Sequence, residues 1–150
     1  LFLQTKVLKS TFRTLQNLKK CRYLPEASLP PVASPEQMAL LLSAFREGRV
    51  KVLGRALNWL TGCWSVSVDA FIRAILDHLE TGGRVFRKPE QNSGRFLSNK
   101  LQASVWIREP NDDDDYDDGT VYVEFIITED EAVLICNTHE HEAGIHRLPH

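Results

Sequence analysis

Five side chains able to bind a metal, Cys136, His139, His141, His146 and His150, crowd into the last stretch of the chain. In extended backbone His139 and His141 face the same way, and with Cys136 and His146 they would complete a tetrahedral zinc set. That spacing matches no standard finger. His139 taken singly suits acid–base work, because an unperturbed imidazole titrates at ~6.5, close to operating pH. The other conspicuous run, Asp112 to Asp118, invites a calcium reading. Placing Asp114 first puts Tyr116 third and Phe125 twelfth, where a calcium loop needs oxygen ligands, so that reading fails. A solvated hairpin loop is the default for it.

The formal net charge of −2 conceals an asymmetry. Residues 1–108 carry 17 of the 18 Lys/Arg and 7 of the 20 Asp/Glu, a balance of +10, while residues 109–150 stand at −12. A basic body that attracts phosphate beside an acidic stretch that opposes it is one reading, and the acidic loop would then limit non-specific RNA binding. Solvated charge without a partner is the other. The three cysteines, Cys21, Cys63 and Cys136, are odd in number, scattered and without Cys-x-x-Cys spacing, as in a reducing, cytoplasmic compartment. No apolar run approaches the ~18–20 residues of a membrane span, and no secretory h-region is present, so no membrane partner is expected.

Several elements must position these groups. In residues 1–22 six basic residues and no acid accompany Leu3, Val7, Leu8, Phe12, Leu15 and Leu18 at helical spacing, a basic amphipathic helix. Pro25 to Pro35 holds four prolines and reads as a linker. Residues 1–33 are therefore taken as an extension and residues 34–150 as the domain. Ser34-Pro35-Glu36-Gln37 is a capping-box start for a helix with Met38, Leu41, Leu42 and Phe45 on one face, stopped at Gly48. Arg49 to Leu53 is a connector or small strand, and Arg55 to Leu60 a short helix ended by Gly62. Ser67 caps a further helix whose Val68, Phe71, Ile72, Ile75, Leu76 and Leu79 share a face, and Thr81-Gly82-Gly83 ends it. His78, near its C-terminus, is a structural histidine on this reading.

From Val85 the apolar period changes to two. Val85 to Lys88, Lys100 to Arg108, Val121 to Thr128 and Ala132 to Asn137 read as strands. Leu101, Ala103, Val105 and Ile107 face one way, and Gln102, Ser104, Trp106 and Arg108 the other. Val121, Val123, Phe125 and Ile127 face the core, opposite Tyr122, Glu124, Ile126 and Thr128. Helices followed by a small antiparallel sheet make an α+β fold, with an acidic loop over 109–119 and a His-rich tail.

Several strings in order then resemble the MqsR family of bacterial toxins. Glu47-Gly48-Arg49-Val50 and Arg55-Ala56-Leu57 are similar to its AGxV…R-x-AL run, and Phe86-Arg87-Lys88 to its F-Y-K string. Thr120-Val121-Tyr122-Val123 is similar to its G-x-V-Y-L-K strand, and Leu134 to His139 stands where it has L-I-V-S-F-K. The similarity spans roughly Phe45 to His139. It implies a RelE-like fold and a metal-independent, cofactor-free endonuclease that cleaves single-stranded mRNA and is neutralised by a cognate antitoxin. Family positions carry over to Arg87 (Lys88 in a register one residue on), Gln102, Tyr122 and His139. Two positions depart: Glu124 stands where the family has a lysine, and His139 where it has another. In such a site Arg87, with Lys88 or Lys100, would stabilise the phosphorane. His139 would serve as acid or base, with Glu124 or Glu140 orienting it. Gln102 and Tyr122 would bind phosphate or ribose, and Tyr122 and Trp106 would offer stacking surfaces for bases. The alternatives are a non-catalytic RelE-like module binding a protein or RNA, and a metal-binding protein using the His-rich tail.

Overall fold

The structure is a computed structural model, and it describes residues 24–64, 66–107, 119–139 and 148–150. Helix α1, Pro35–Glu47, begins with the capping box. The Ser34 hydroxyl accepts from the Gln37 amide at 3.1 Å, and the Gln37 side-chain oxygen accepts from the Ser34 amide at 2.7 Å. Two of the helix's orphan donors are thereby satisfied reciprocally. At the other end Gly48 adopts φ 74°, a left-handed cap that costs little without a Cβ. Strand β1, Val50–Val52, follows, then helix α2, Gly54–Trp59, which runs into a π-helical turn over Leu60–Trp64. Helix α3, Val68–Glu80, is capped by Ser67, whose hydroxyl accepts from the Ala70 amide at 3.2 Å.

Four further strands complete the chain order: β2, Phe86–Pro89; β3, Phe96–Trp106; β4, Thr120–Ile127; and β5, Val133–His139. They assemble into one sheet in the order β1-β5-β4-β3-β2. β2 to β5 pair antiparallel, as the meander read from the sequence requires. The sheet is nonetheless mixed, because β1 pairs parallel to β5 with Val50 opposite Val133. This corrects the expectation of helices followed by an antiparallel sheet: the segment between the first two helices is a sheet strand. Its three residues alternate too briefly to declare that partner.

Helices α1 and α3 pack against each other, and α3 lies on β3. The core between helices and sheet takes Leu41, Ala44 and Phe45 from α1, and Phe71, Ile75 and Leu79 from α3. Opposite them stand Leu101, Ala103, Val105, Val121, Val123, Phe125 and Ile135. Phe45 meets Phe125 edge-to-face at a centroid distance of 6.0 Å, a favourable aromatic geometry. The alternation read from β3 and β4 thus delivers its apolar set to the helix-covered face.

The other face carries a second, smaller apolar cluster: Phe86 and Tyr122 with Leu148, flanked by Leu24 and Leu29. Part of the proline-rich segment lies here. Its Glu26–Ser28 turn is followed by Val32, which bridges to Phe86, and the Ala33 amide donates to the Val85 carbonyl at 2.8 Å. From Leu24 onward the segment is laid along the sheet edge.

One irregularity matters for the site. Between β4 and β5 the register shifts: Glu124 pairs with Asn137, but Phe125 pairs with Ile135. Cys136 is the extra residue of a β-bulge. Before it Val133 and Ile135 are buried in the core, and after it Thr138 is, its hydroxyl donating to the Ala56 carbonyl at 3.2 Å.

Candidate functional site

Register fixes which side chains meet on the helix-poor face. Gln102 lies opposite Glu124, and Ser104 opposite Tyr122. Gln102, Tyr122 and Glu124 therefore share that face, and Phe86, opposite Gln102, shares it too. Lys88 comes from the end of β2. Its ammonium reaches the Glu124 carboxylate at 3.5 Å and stands 5.8 Å from the centroid of the Tyr122 ring. The Tyr122 hydroxyl lies 2.8 Å from Gln102 Oε1 and 2.9 Å from Glu124 Oε1, so its single proton serves two acceptors. Gln102 Nε2 donates to the Arg87 carbonyl at 2.9 Å and ties the chain of contacts back to β2.

Beside this network opens a concavity of about 530 Å³, walled by Lys88, Glu90, Lys100, Glu124, Cys136 and Asn137. Two ammonium groups and two carboxylates thus share a space open to solvent, with Lys88 paired to Glu124. Tyr122 is held strongly in its protonated form, first by burial and then by the charge and hydrogen bond of Glu124. It is a fixed donor and no base. The Cys136 thiol is pushed up by burial and then by the Glu124 charge, which disfavours the nucleophilic thiolate.

Of the residues singled out from the sequence, Gln102, Tyr122, Lys88 and Lys100 come together here. Arg87 does not join them. It pairs with Leu101 and so points to the opposite, helix-covered face, where it lines a separate cavity. Of the two adjacent cations, Lys88 is the one that reaches Tyr122 and Glu124. The Tyr122 ring is not placed to stack on a base as expected. Tyr122 is 8% exposed, beneath Phe86 and Leu148. Trp106, half-exposed at the far end of β3, already stacks on the His150 ring at a centroid distance of 4.4 Å.

The backbone of His139 pairs with that of Tyr122, because the bulge at Cys136 has advanced the register by one. Its side chain lies outside the described residues, as do His141, His146, the acidic loop and the amphipathic segment 1–22. Among the described residues no three His, Cys, Asp or Glu side chains are gathered as a metal set would require. No described helix is long and apolar enough to cross a membrane.

Glu124 is the residue whose centrality sequence reasoning undervalued. Its signal was available, since it is two residues from Tyr122 and alternation places both on one face. Comparison of the chain with protein-family models, with curated proteins and with solved structures finds no match.

Proposed function

We propose that the protein is a metal-independent endoribonuclease of the MqsR type on a RelE-like fold, acting on single-stranded mRNA and held in check by a partner antitoxin. The observation that carries this reading is the gathering of Lys88, Lys100 and Glu124 in one solvent-open concavity on the sheet face that the helices leave uncovered. The ordered string similarities from Phe45 to His139 support it independently.

Cleavage by transesterification needs a base at the ribose 2′-oxygen, positive charge at the phosphorane and a proton for the departing 5′-oxygen. In this proposal Glu124 removes the 2′-hydroxyl proton. The 2′-oxygen then attacks phosphorus, and the phosphorus–5′-oxygen bond breaks as a 2′,3′-cyclic phosphate closes. Lys88 and Lys100 stabilise the added charge on the non-bridging oxygens. His139, brought opposite Tyr122 in the strand register, delivers a proton to the 5′-oxygen. Tyr122 and Gln102 are positioning residues: the phenolic proton fixes the Glu124 carboxylate, and Gln102 anchors the phenol.

A second reading, a non-catalytic module that binds RNA or protein, draws on the Lys88–Glu124 ion pair and the burial of Tyr122 and Gln102, which leave these groups mutually satisfied. Incubation of the purified protein with a mixed-sequence RNA in EDTA separates the two. The endonuclease yields fragments ending in cyclic phosphate, and Glu124→Gln and Lys88→Met lower the rate at least 100-fold. RNA that is retained but intact at high protein concentration makes the module reading correct.

A further inference from the structure

We infer that the cavity around Arg87 and Phe96, on the helix-covered side of the β2–β3 hairpin, is a second RNA subsite that binds one nucleotide of the strand whose scissile phosphate lies at Lys88 and Lys100. The inference rests on the endonuclease reading and extends it from a cleavage point to a binding track. Its starting observation is a cation without a counter-ion. Arg87 is half-buried, its Nε is buried without a hydrogen-bond acceptor, and among the described residues no carboxylate pairs with it. A half-buried guanidinium without a carboxylate partner is costly, and an anion bound where Arg87 lines the cavity offsets part of that cost.

The surroundings say which anion. The cavity measures about 650 Å³, and its walls include Arg87, Phe96, Ser98, Asn99 and Thr128. Phe96 is 43% exposed, an unusual setting for a large apolar ring and a ready platform for a base. Ser98 and Asn99 bring hydroxyl and amide groups suited to sugar and base edges. Glu36 and Glu129, both exposed, stand on the rim. Their charge opposes a doubly charged phosphomonoester or a run of phosphates, and leaves room for a single phosphodiester at Arg87. The α1 N-terminus does not supply the binding, since its capping box already engages the Gln37 amide.

Strand geometry links the two places. Arg87 and Lys88 are consecutive on β2 and point to opposite faces of the sheet. A single strand rounding the tip of the β2–β3 hairpin, where the Glu90 amide donates to the Arg95 carbonyl at 2.7 Å, passes from one cation to the other.

The test is equilibrium binding of a 2′-O-methyl hexanucleotide, which has no 2′-hydroxyl to react and so reports binding apart from cleavage. Arg87→Gln is expected to weaken the affinity about tenfold and to reduce the slope of log K against log salt by ~0.7, the share of one phosphate on a single strand. Phe96→Ala, a change at an exposed position, should weaken it by a similar factor through lost stacking. Arg73→Gln, which removes the same charge from the exposed face of α3, should stay within about twofold of the parent protein. Affinity and salt slope unchanged in both cavity variants would overturn the subsite, as would an equal loss in Arg73→Gln. Hexanucleotide binding that depends on Arg87 and Phe96 in a protein that cleaves no RNA would uphold the subsite and refute the endonuclease reading alone.

Discussion

At the scale of single residues, Tyr122 is the most constrained group in the site. Its phenol is buried, offers one proton to two oxygens, and is pushed far above the ordinary tyrosine range. Of the three tyrosines, it should be the one that does not ionise with the native protein in alkaline difference spectroscopy, appearing only when the chain unfolds. Tyr122→Phe should cost about 1–2 kcal/mol in denaturant unfolding, because two acceptors lose their donor. His78 gives a second prediction. Burial lowers its imidazole below the ordinary 6.5, outweighing its hydrogen bond to the Arg84 carbonyl at 2.9 Å. Since that contact is to a carbonyl, the neutral ring carries its proton on Nε2. The unfolded chain takes up a proton at His78 before the folded one does. Stability from this residue is therefore intact above pH 6.5 and falls as the pH drops below it, until the folded group also titrates. Melting temperatures between pH 7.5 and 5.5 should show the decline, and imidazole titration by NMR should place His78 below the ordinary 6.5.

At the scale of elements, the ends of helices and strands set the geometry. Gly83 follows α3, and a Cβ there would overlap the His78 imidazole. Gly83→Ala should destabilise by about 1–3 kcal/mol in denaturant unfolding, the usual cost of overpacking a closed contact. Gln37 belongs both to the α1 capping box and to a bond from its side-chain amide to the Ser98 carbonyl at 2.6 Å, which joins the helix start to β3. The capping box, the α3 face and the two-residue alternation of β3 and β4 were legible because each is a local rule written in adjacent residues. The bulge at Cys136 was not. It depends on how β5 meets β4, and without it alternation would have grouped His139 with Val133 and Ile135. The position of Arg87 was obscured for the same reason. The string Phe86-Arg87-Lys88 offers two adjacent cations, and only the pairing of Arg87 with Leu101 decides which faces Tyr122.

At the scale of the molecule, the sheet divides the labour. Its helix-covered face holds the apolar core, and its other face holds a small apolar cluster beside a charged concavity. The stability of the whole rests on the first: Phe125→Ala, at the centre of the core, should cost about 3–5 kcal/mol. In the proposed reading activity rests on the second, where the charges add little to folding. Glu124 and Lys88 are part-exposed, and an ion pair of that kind contributes at most about 1 kcal/mol. Substituting them should therefore separate activity from stability. The most direct test of the account follows from that separation. The rate of cleavage of a 5′-labelled single-stranded RNA in EDTA is measured for the parent protein, Glu124→Gln and Lys88→Met, beside their unfolding midpoints. The account predicts cleavage by the parent, loss of at least 100-fold in both variants, and midpoints nearly unchanged. Uncleaved RNA with the folded parent protein, or full activity in Glu124→Gln, would contradict it.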